Sequence, residues 1–342
     1  MRKARITGKD RFVRPAYHCM SRGYDGNWIF GSDVEKDFFR KLLGSVVRFT
    51  GVELLTHSTM SNHFHLVIRV PPMPEGGLSD EALLERMKHL FSRATIADLR
   101  RRLGAARESG DDALADHWRE KYVGRMHSLS FFMKELKQRY SQWYNKRVGR
   151  KGSLWEGRFK SVLVEDGEAL HTMCKYVDLN PVRAGLVKDP KDYRWCGYAE
   201  AEAGVKASRA GLCSAYAHPI TGEVPDWRAH RKLYRMALFG TGIEVKRGGE
   251  VLRKGVDPQR VRETWEKGGE LSWGEVIHCR TRYLTDSLVF GSRGFVERAA
   301  EAHKELFGQL RNRNKAHPVP SGGLFEMCSM TAIREEPLGL GS

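Results

Sequence analysis

Long apolar runs are missing from this chain of 342 residues. None approaches the roughly 18 consecutive apolar residues that cross a bilayer, so no membrane span is expected. The basic start, Met1-Arg2-Lys3-Ala4-Arg5, leads into no apolar segment, so a secretory leader is not expected either. Cysteine is sparse. The six thiols, Cys19, Cys174, Cys196, Cys213, Cys279 and Cys328, include no C-x-x-C pair and no finger spacing. That argues against a disulfide scaffold or a cysteine-held zinc, and points to a reduced, cytoplasmic protein. Internal repeats are absent, which argues against a solenoid or a propeller. Acidic side chains are in deficit: 42 against 58 lysines and arginines, a formal net charge of +16 and a pI near 9.7. Such an excess points first to a polyanionic partner, nucleic acid above all. The plainer alternative is a soluble protein with a basic surface.

What is present divides the chain. Residues 16–22 alternate like a strand and run into the turn signal Gly23-Tyr24-Asp25-Gly26. Residues 32–50 are helical by period, with Phe38, Leu42, Leu43, Val46 and Phe49 on one face, and Gly51 closes the helix. Residues 52–57 and 62–70 read as a hairpin. This order predicts an α+β fold, an antiparallel sheet with helices on one face. The prolines and glycines of 71–77 end the sheet segment, and about 72–127 reads as an inserted helical pair broken near Ser109-Gly110-Asp111. Its run Leu99-Arg100-Arg101-Arg102-Leu103 is a candidate phosphate contact, though a solvated helix face is the simpler reading. Residues 129–146 form an amphipathic helix on Phe132, Leu136, Tyr140 and Trp143, with Lys134, Lys137, Arg139, Lys146 and Arg147 on its basic side. The chain thus parses as a domain over 1–203, a connector over 204–226, a mainly helical region over 227–315 and a disordered tail over 316–342.

Two stretches carry the chemistry. In Met60-Ser61-Asn62-His63-Phe64-His65-Leu66-Val67-Ile68, strand alternation sends His63 and His65 to one face and Phe64 and Leu66 to the other. Paired imidazoles suit a divalent cation, Mn²⁺ or Zn²⁺ directly and Mg²⁺ where oxygen ligands complete the shell. Two half-buried hairpin histidines would look the same. The second stretch is the helix over 167–179, whose core stripe is Leu170, Met173, Cys174 and Val177. Tyr176 falls off that stripe, on the side of Thr172 and Asn180, so it is expected to face a cleft. A tyrosine nucleophile forms a covalent phosphotyrosine that stores the energy of a broken phosphodiester. Asn180 is a candidate third metal ligand, or simply a helix-terminal residue before proline. Tyr140 and Tyr144 are rival nucleophiles, but their aromatic neighbours favour packing. In the loop over 149–161, Arg150, Lys151, Arg158 and Lys160 can neutralise phosphates, and Trp155 can either stack on an unpaired base or anchor the loop.

These residues carry a resemblance. His63-Phe64-His65 resembles the HUH motif, and Lys175-Tyr176 through Asn180-Pro181-Val182-Arg183-Ala184-Gly185-Leu186-Val187 is similar to the tyrosine helix of REP-associated tyrosine transposases, relatives of the single-tyrosine insertion-sequence transposases. Leu154-Trp155-Glu156-Gly157-Arg158-Phe159-Lys160-Ser161 and the pairs Tyr17-His18 and Ser21-Arg22 also resemble that family. The likeness spans about 12–200. It implies a ferredoxin-like sheet and metal-dependent nicking and rejoining of single-stranded hairpin DNA through a 5′-phosphotyrosine. By this resemblance Tyr176 is the nucleophile, His63, His65 and Asn180 hold Mg²⁺ or Mn²⁺, and the protein works as a monomer or homodimer. Arg22 and Arg183 join Arg147, Arg150, Lys151, Trp155, Arg158 and Lys160 as candidate DNA contacts. A regulator that binds structured nucleic acid on the same fold without chemistry is the alternative.

Overall fold

The first strand is flanked by partners from distant parts of the sequence. In the computed structural model, which describes residues 14–218, 221–240, 245–247, 250–253, 287–303, 316–319 and 327–330, β1 (Ala16–Arg22) is followed by α1 (Asp33–Thr50), β2 (Glu53–Thr59) and β3 (His63–Arg69). Three helices come next, α2 (Asp80–Met87), α3 (Arg93–Glu108) and α4 (Asp112–Val123), and then α5 (Leu129–Val148) and β4 (Lys160–Val164). β1 pairs antiparallel with β3 on one side and β4 on the other, and β2 completes that edge beyond β3.

Beyond β4 lie α6 (Glu168–Asp178), the short α7 (Asn180–Arg183), α8 (Gly197–Glu202), α9 (Lys206–Ala215) and α10 (Trp227–Gly240). A separate hairpin follows, β5 (Val245–Arg247) with β6 (Glu250–Arg253). The described chain ends with β7 (Val289–Ser292), α11 (Arg293–Ala302), β8 (His317–Val319) and β9 (Met327–Ser329). The large sheet runs β2-β3-β1-β4-β7-β9-β8, with β7 parallel to β4.

The sheet is therefore mixed rather than antiparallel, and it is covered on both faces rather than one. β3 explains why. Phe64, Leu66 and Ile68 point into a core shared with Phe39, Leu43 and Val46 of α1 and Phe132, Leu136 and Tyr140 of α5. Val67 points the other way, into a second core with Leu170, Met173, Cys174 and Val177 of α6. A strand apolar on both sides requires cover on both sides.

Three expectations about the outer segments change. The insertion holds three helices rather than two; the break at Gly110, with φ 71°, separates α3 from α4, and Ser79, Ser92 and Asp111 cap the three N-termini. Its core, including Leu83, Met87, Leu99, Leu103 and Tyr122, joins the rest of the protein through Phe49 of α1. The expected connector contains α9, which lies against the edge strand: a Cβ on Gly211 would collide with the Leu54 carbonyl. The tail expected to be disordered supplies β8 and β9, and the region expected to be mainly helical supplies β7, so C-terminal residues extend the N-terminal sheet. Val289 and Phe290 are fully buried there, which stabilises strands too short to show a period. Cys279, noted in the sequence, and the arginines Arg260, Arg262, Arg280, Arg282, Arg311 and Arg313 lie outside the described residues. Among the described residues no helix is long and apolar enough to cross a membrane.

Candidate active site

The β1–β3 register brings a third histidine to the predicted pair. His18 stands opposite Val67, and Met20 opposite His65. The face of β3 that carries His63 and His65 is thus the face of β1 that carries His18 and Arg22. His18 Nε2 lies 2.8 Å from His65 Nδ1, and the two rings are nearly parallel with centroids 5.1 Å apart. Both are almost fully buried. His63 meets His65 edge to face at 4.9 Å, and its Nδ1 is 2.6 Å from Asn62 Oδ1. That bond places the hydrogen on Nδ1 and leaves Nε2 as a bare electron pair.

Helix α6 lowers Tyr176 onto this cluster. Its ring is edge-on to His18 and to His65, 5.8 Å from each. Tyr176 is half-buried and leans on the apolar stripe of α6 rather than standing clear of it. Arg183, one turn beyond the helix end, places its guanidinium 4.6 Å from the centre of the phenol ring and donates to the Tyr176 carbonyl at 3.3 Å. Asn180 Nδ2 donates to the same carbonyl, which leaves its side-chain oxygen as the atom suited to a cation. The C-terminal end of α6 is pinned from below. Asp178, fully buried, accepts from Thr56 Oγ1 at 2.6 Å, from Tyr234 Oη at 2.5 Å and from the Tyr198 amide at 3.3 Å.

Burial decides the charge of the cluster. It pushes His63 down to about 4, with the Arg22 guanidinium adding to the effect. Burial likewise drives His65 well below the ordinary imidazole value, reinforced by His63, His18 and Arg183. Neutral imidazoles are what a metal ligand must be. Among the described residues, however, no group of three or more His, Cys, Asp or Glu side chains could hold a metal ion. The donor set fits a cation bound by two imidazoles only if oxygens complete its shell, from Asn180, water or a phosphate. The partners on His63 and His65 resemble the second hydrogen bonds that orient ligating histidines.

The predicted DNA contacts separate into two groups. Arg22 ends β1 beside His63, and Lys160 begins β4 opposite Met20; both are exposed on the histidine face. Arg183 is at the tyrosine. Lys151 and Arg158 are exposed on the loop before β4, and Arg150, half-buried, donates to the Ser153 carbonyl. Arg147 does not reach the site. It sits on α5, across the sheet from α6, paired with Glu35 at 3.4 Å and set over Trp143. Trp155 is not a base-stacking platform. Its ring is buried among Phe30, Phe64 and Tyr140, and its Nε1 donates to Ser141 Oγ at 2.7 Å. Tyr140 is likewise a core residue, its hydroxyl donating to the Ile29 carbonyl at 2.5 Å. His18 was missed as a site residue because only the β1–β3 register, in which it stands diagonal to His65, brings it to the pair.

With this geometry the molecule is an α+β protein carrying a buried histidine cluster and an adjoining tyrosine on a mixed sheet. Compared with known proteins, the sequence matches no family model and no curated protein. One solved structure that it resembles is that of a REP-associated tyrosine transposase bound to a REP hairpin, at 13% identity and a TM-score of 0.36, covering 60% of this chain and 85% of that one.

Proposed function

We propose that the protein is an endonuclease and strand transferase for single-stranded or hairpin DNA, with Tyr176 as its nucleophile. The observation that carries this reading is the tyrosine ring held 5.8 Å from both His18 and His65. The phenol stands edge-on to two buried imidazoles, of which His65 is kept neutral by burial. The basic side chains Arg22, Lys160 and Arg183 around it add the cationic rim that a phosphodiester requires.

In this reading the Tyr176 oxygen attacks the scissile phosphorus and gives up its proton to water. The bond from phosphorus to the 3′ oxygen breaks, and the leaving 3′ oxygen takes up a proton. The 5′ phosphate stays on the tyrosine, and a 3′ hydroxyl can later reverse the step. Arg183, held against the phenol, orients the ring and places positive charge where the phosphoryl oxygens gather. His65 keeps its geometry through His18, and His63 through Asn62. A divalent cation, Mg²⁺ or Mn²⁺, held by His63, His65 and Asn180 would polarise the phosphate as a Lewis acid.

The test is an adduct assay on hairpin oligonucleotides with each metal in turn. A protein–DNA species that survives denaturation and disappears in Tyr176→Phe supports the reading. Nicking that survives Tyr176→Phe would assign the attack to water. Salt-sensitive binding with no cleavage under any metal would leave a binding protein on this fold.

A further inference from the structure

We propose that the inserted helices carry a second nucleic-acid contact, which grips phosphodiesters remote from the one Tyr176 attacks; this rests on the function proposed above. Helix α3 and the turn before it enclose a concavity of about 750 Å³ lined by Lys88, Arg93, Arg100 and Arg101, with Phe91 and Ile96 in its floor. No acidic residue lines it. Arg93 and Arg100, seven residues apart, share one face of α3, and Arg101 stands about a quarter-turn round at the rim of the same concavity. Arg93 and Arg100 are about 10 Å apart at the helical rise of 1.5 Å per residue.

Ion pairs single out two of these cations. Arg102 pairs with Asp98 at 2.8 Å, and Arg107 is shared between Asp80 and Asp112. On the concave face Lys88 pairs with Glu85 and Arg101 with Asp98. Arg93 and Arg100, both exposed, have no ion-pair partner among the described residues. Exposed arginines left uncompensated around one depression hold a standing positive potential. Beneath them Phe91 is fixed edge-on between Phe49 and Tyr122, with the Arg139 guanidinium 5.4 Å from its ring. The rim is therefore cationic and its floor packed into the core of the insertion. A chain of phosphates matches it better than an apolar partner would.

Position separates this contact from the chemistry. The insertion docks on α1 through Phe49, and α1 covers the face of the sheet opposite to α6 and Tyr176. One phosphate cannot touch both. A nucleic acid must extend past the reactive site, as a duplex stem or a long flank, to engage the arginines of α3. The face then acts as a length sensor that favours extended substrates over short single strands.

The experiment compares the full chain with the double variant Arg93→Ala/Arg100→Ala. Affinity is measured against salt by fluorescence anisotropy, for a hairpin with a long flank and for a short single strand. On the long probe the double variant should bind more weakly, and its log-log salt slope should be shallower by about 2, one phosphate contact per arginine. On the short strand, binding and Tyr176 adduct formation should match the wild type, and Arg93→Lys/Arg100→Lys should restore most of the long-probe affinity. An unchanged slope on the long probe overturns this contact while leaving the proposed function standing, provided the Tyr176 adduct still forms. Equal losses on both probes also overturn it. If the wild type binds neither probe, both readings fall, and tighter binding to polyglutamate than to DNA would give the face to an acidic protein instead.

Discussion

His18 Nε2 and His65 Nδ1 share one hydrogen across 2.8 Å, with ring planes 9° apart. The contact joins neighbouring strands in the interior, and it fixes how His65 presents its other nitrogen. With the hydrogen on His65 Nδ1, the His65 Nε2 lone pair is free to face a cation or substrate.

Removing His18 should therefore damage the site before it damages the fold. In His18→Ala the His65 Nδ1 loses its buried partner, at a cost of about 1–3 kcal/mol. Affinity for Mn²⁺ should fall about 10- to 100-fold, as when an outer hydrogen bond to a ligating histidine is lost. Calorimetric titration of the metal, with thermal unfolding alongside, checks both. Unchanged Mn²⁺ affinity would show that His18 only packs.

Trp155 should behave as a core residue. Trp155→Ala removes a ring that contacts Phe30, Phe64 and Tyr140 and should destabilise the fold by about 3–5 kcal/mol. Urea unfolding measures this. A base-stacking role would give the opposite pattern, with stability intact and single-strand binding lost.

Two buried carboxylates should respond to pH with opposite signs. Burial raises Glu200, but His57, Ser208 and Arg40 outweigh it and bring the group down to about 2 from the ordinary 4.5. The folded state then binds its proton less tightly than the unfolded chain. Glu200 contributes stability that is present above 4.5 and lost as the pH falls toward 2. Burial wins at Asp178 despite its three donors, raising it from 3.8 to about 6. There the folded state binds the proton more tightly, so stability declines as the pH rises from 3.8 through 6. Glu200→Gln should flatten the acid limb of a plot of melting temperature against pH. Asp178→Asn should remove the decline over the higher window while keeping the Tyr234 contact in part. Identical profiles for wild type and both variants would contradict the account.

The legible part of the site came from periodicity, which is local. Alternation along β3 put His63 and His65 on one face, and helical spacing set Tyr176 off the line of Leu170 and Val177, though its ring still rests against that stripe. What stayed hidden depends on pairing between distant residues. His18 becomes a site residue only once β1 is laid against β3, 47 positions away. Arg147 read as a free basic side chain because Glu35, its partner, is 112 residues distant. Trp155 sat in a basic, glycine-rich loop that resembles a binding surface, and its burial is decided by Ser141 and Phe30 from other elements. β7 spans four residues, too few for any period to show, and it is held in place by its pairing with β4. The expected antiparallel sheet failed for the same reason: its parallel pair joins Leu163 to Val289.

The central claim is that Tyr176 forms a covalent bond to DNA. A hairpin oligonucleotide labelled on its 5′ phosphate side should be incubated with the protein and Mn²⁺, denatured, digested and read by peptide mass spectrometry. The account predicts a phosphonucleotide on the peptide containing Tyr176, absent from Tyr176→Phe and greatly reduced in His63→Ala/His65→Ala. Cleaved DNA with no modified peptide, or a modification on any other tyrosine, would contradict it.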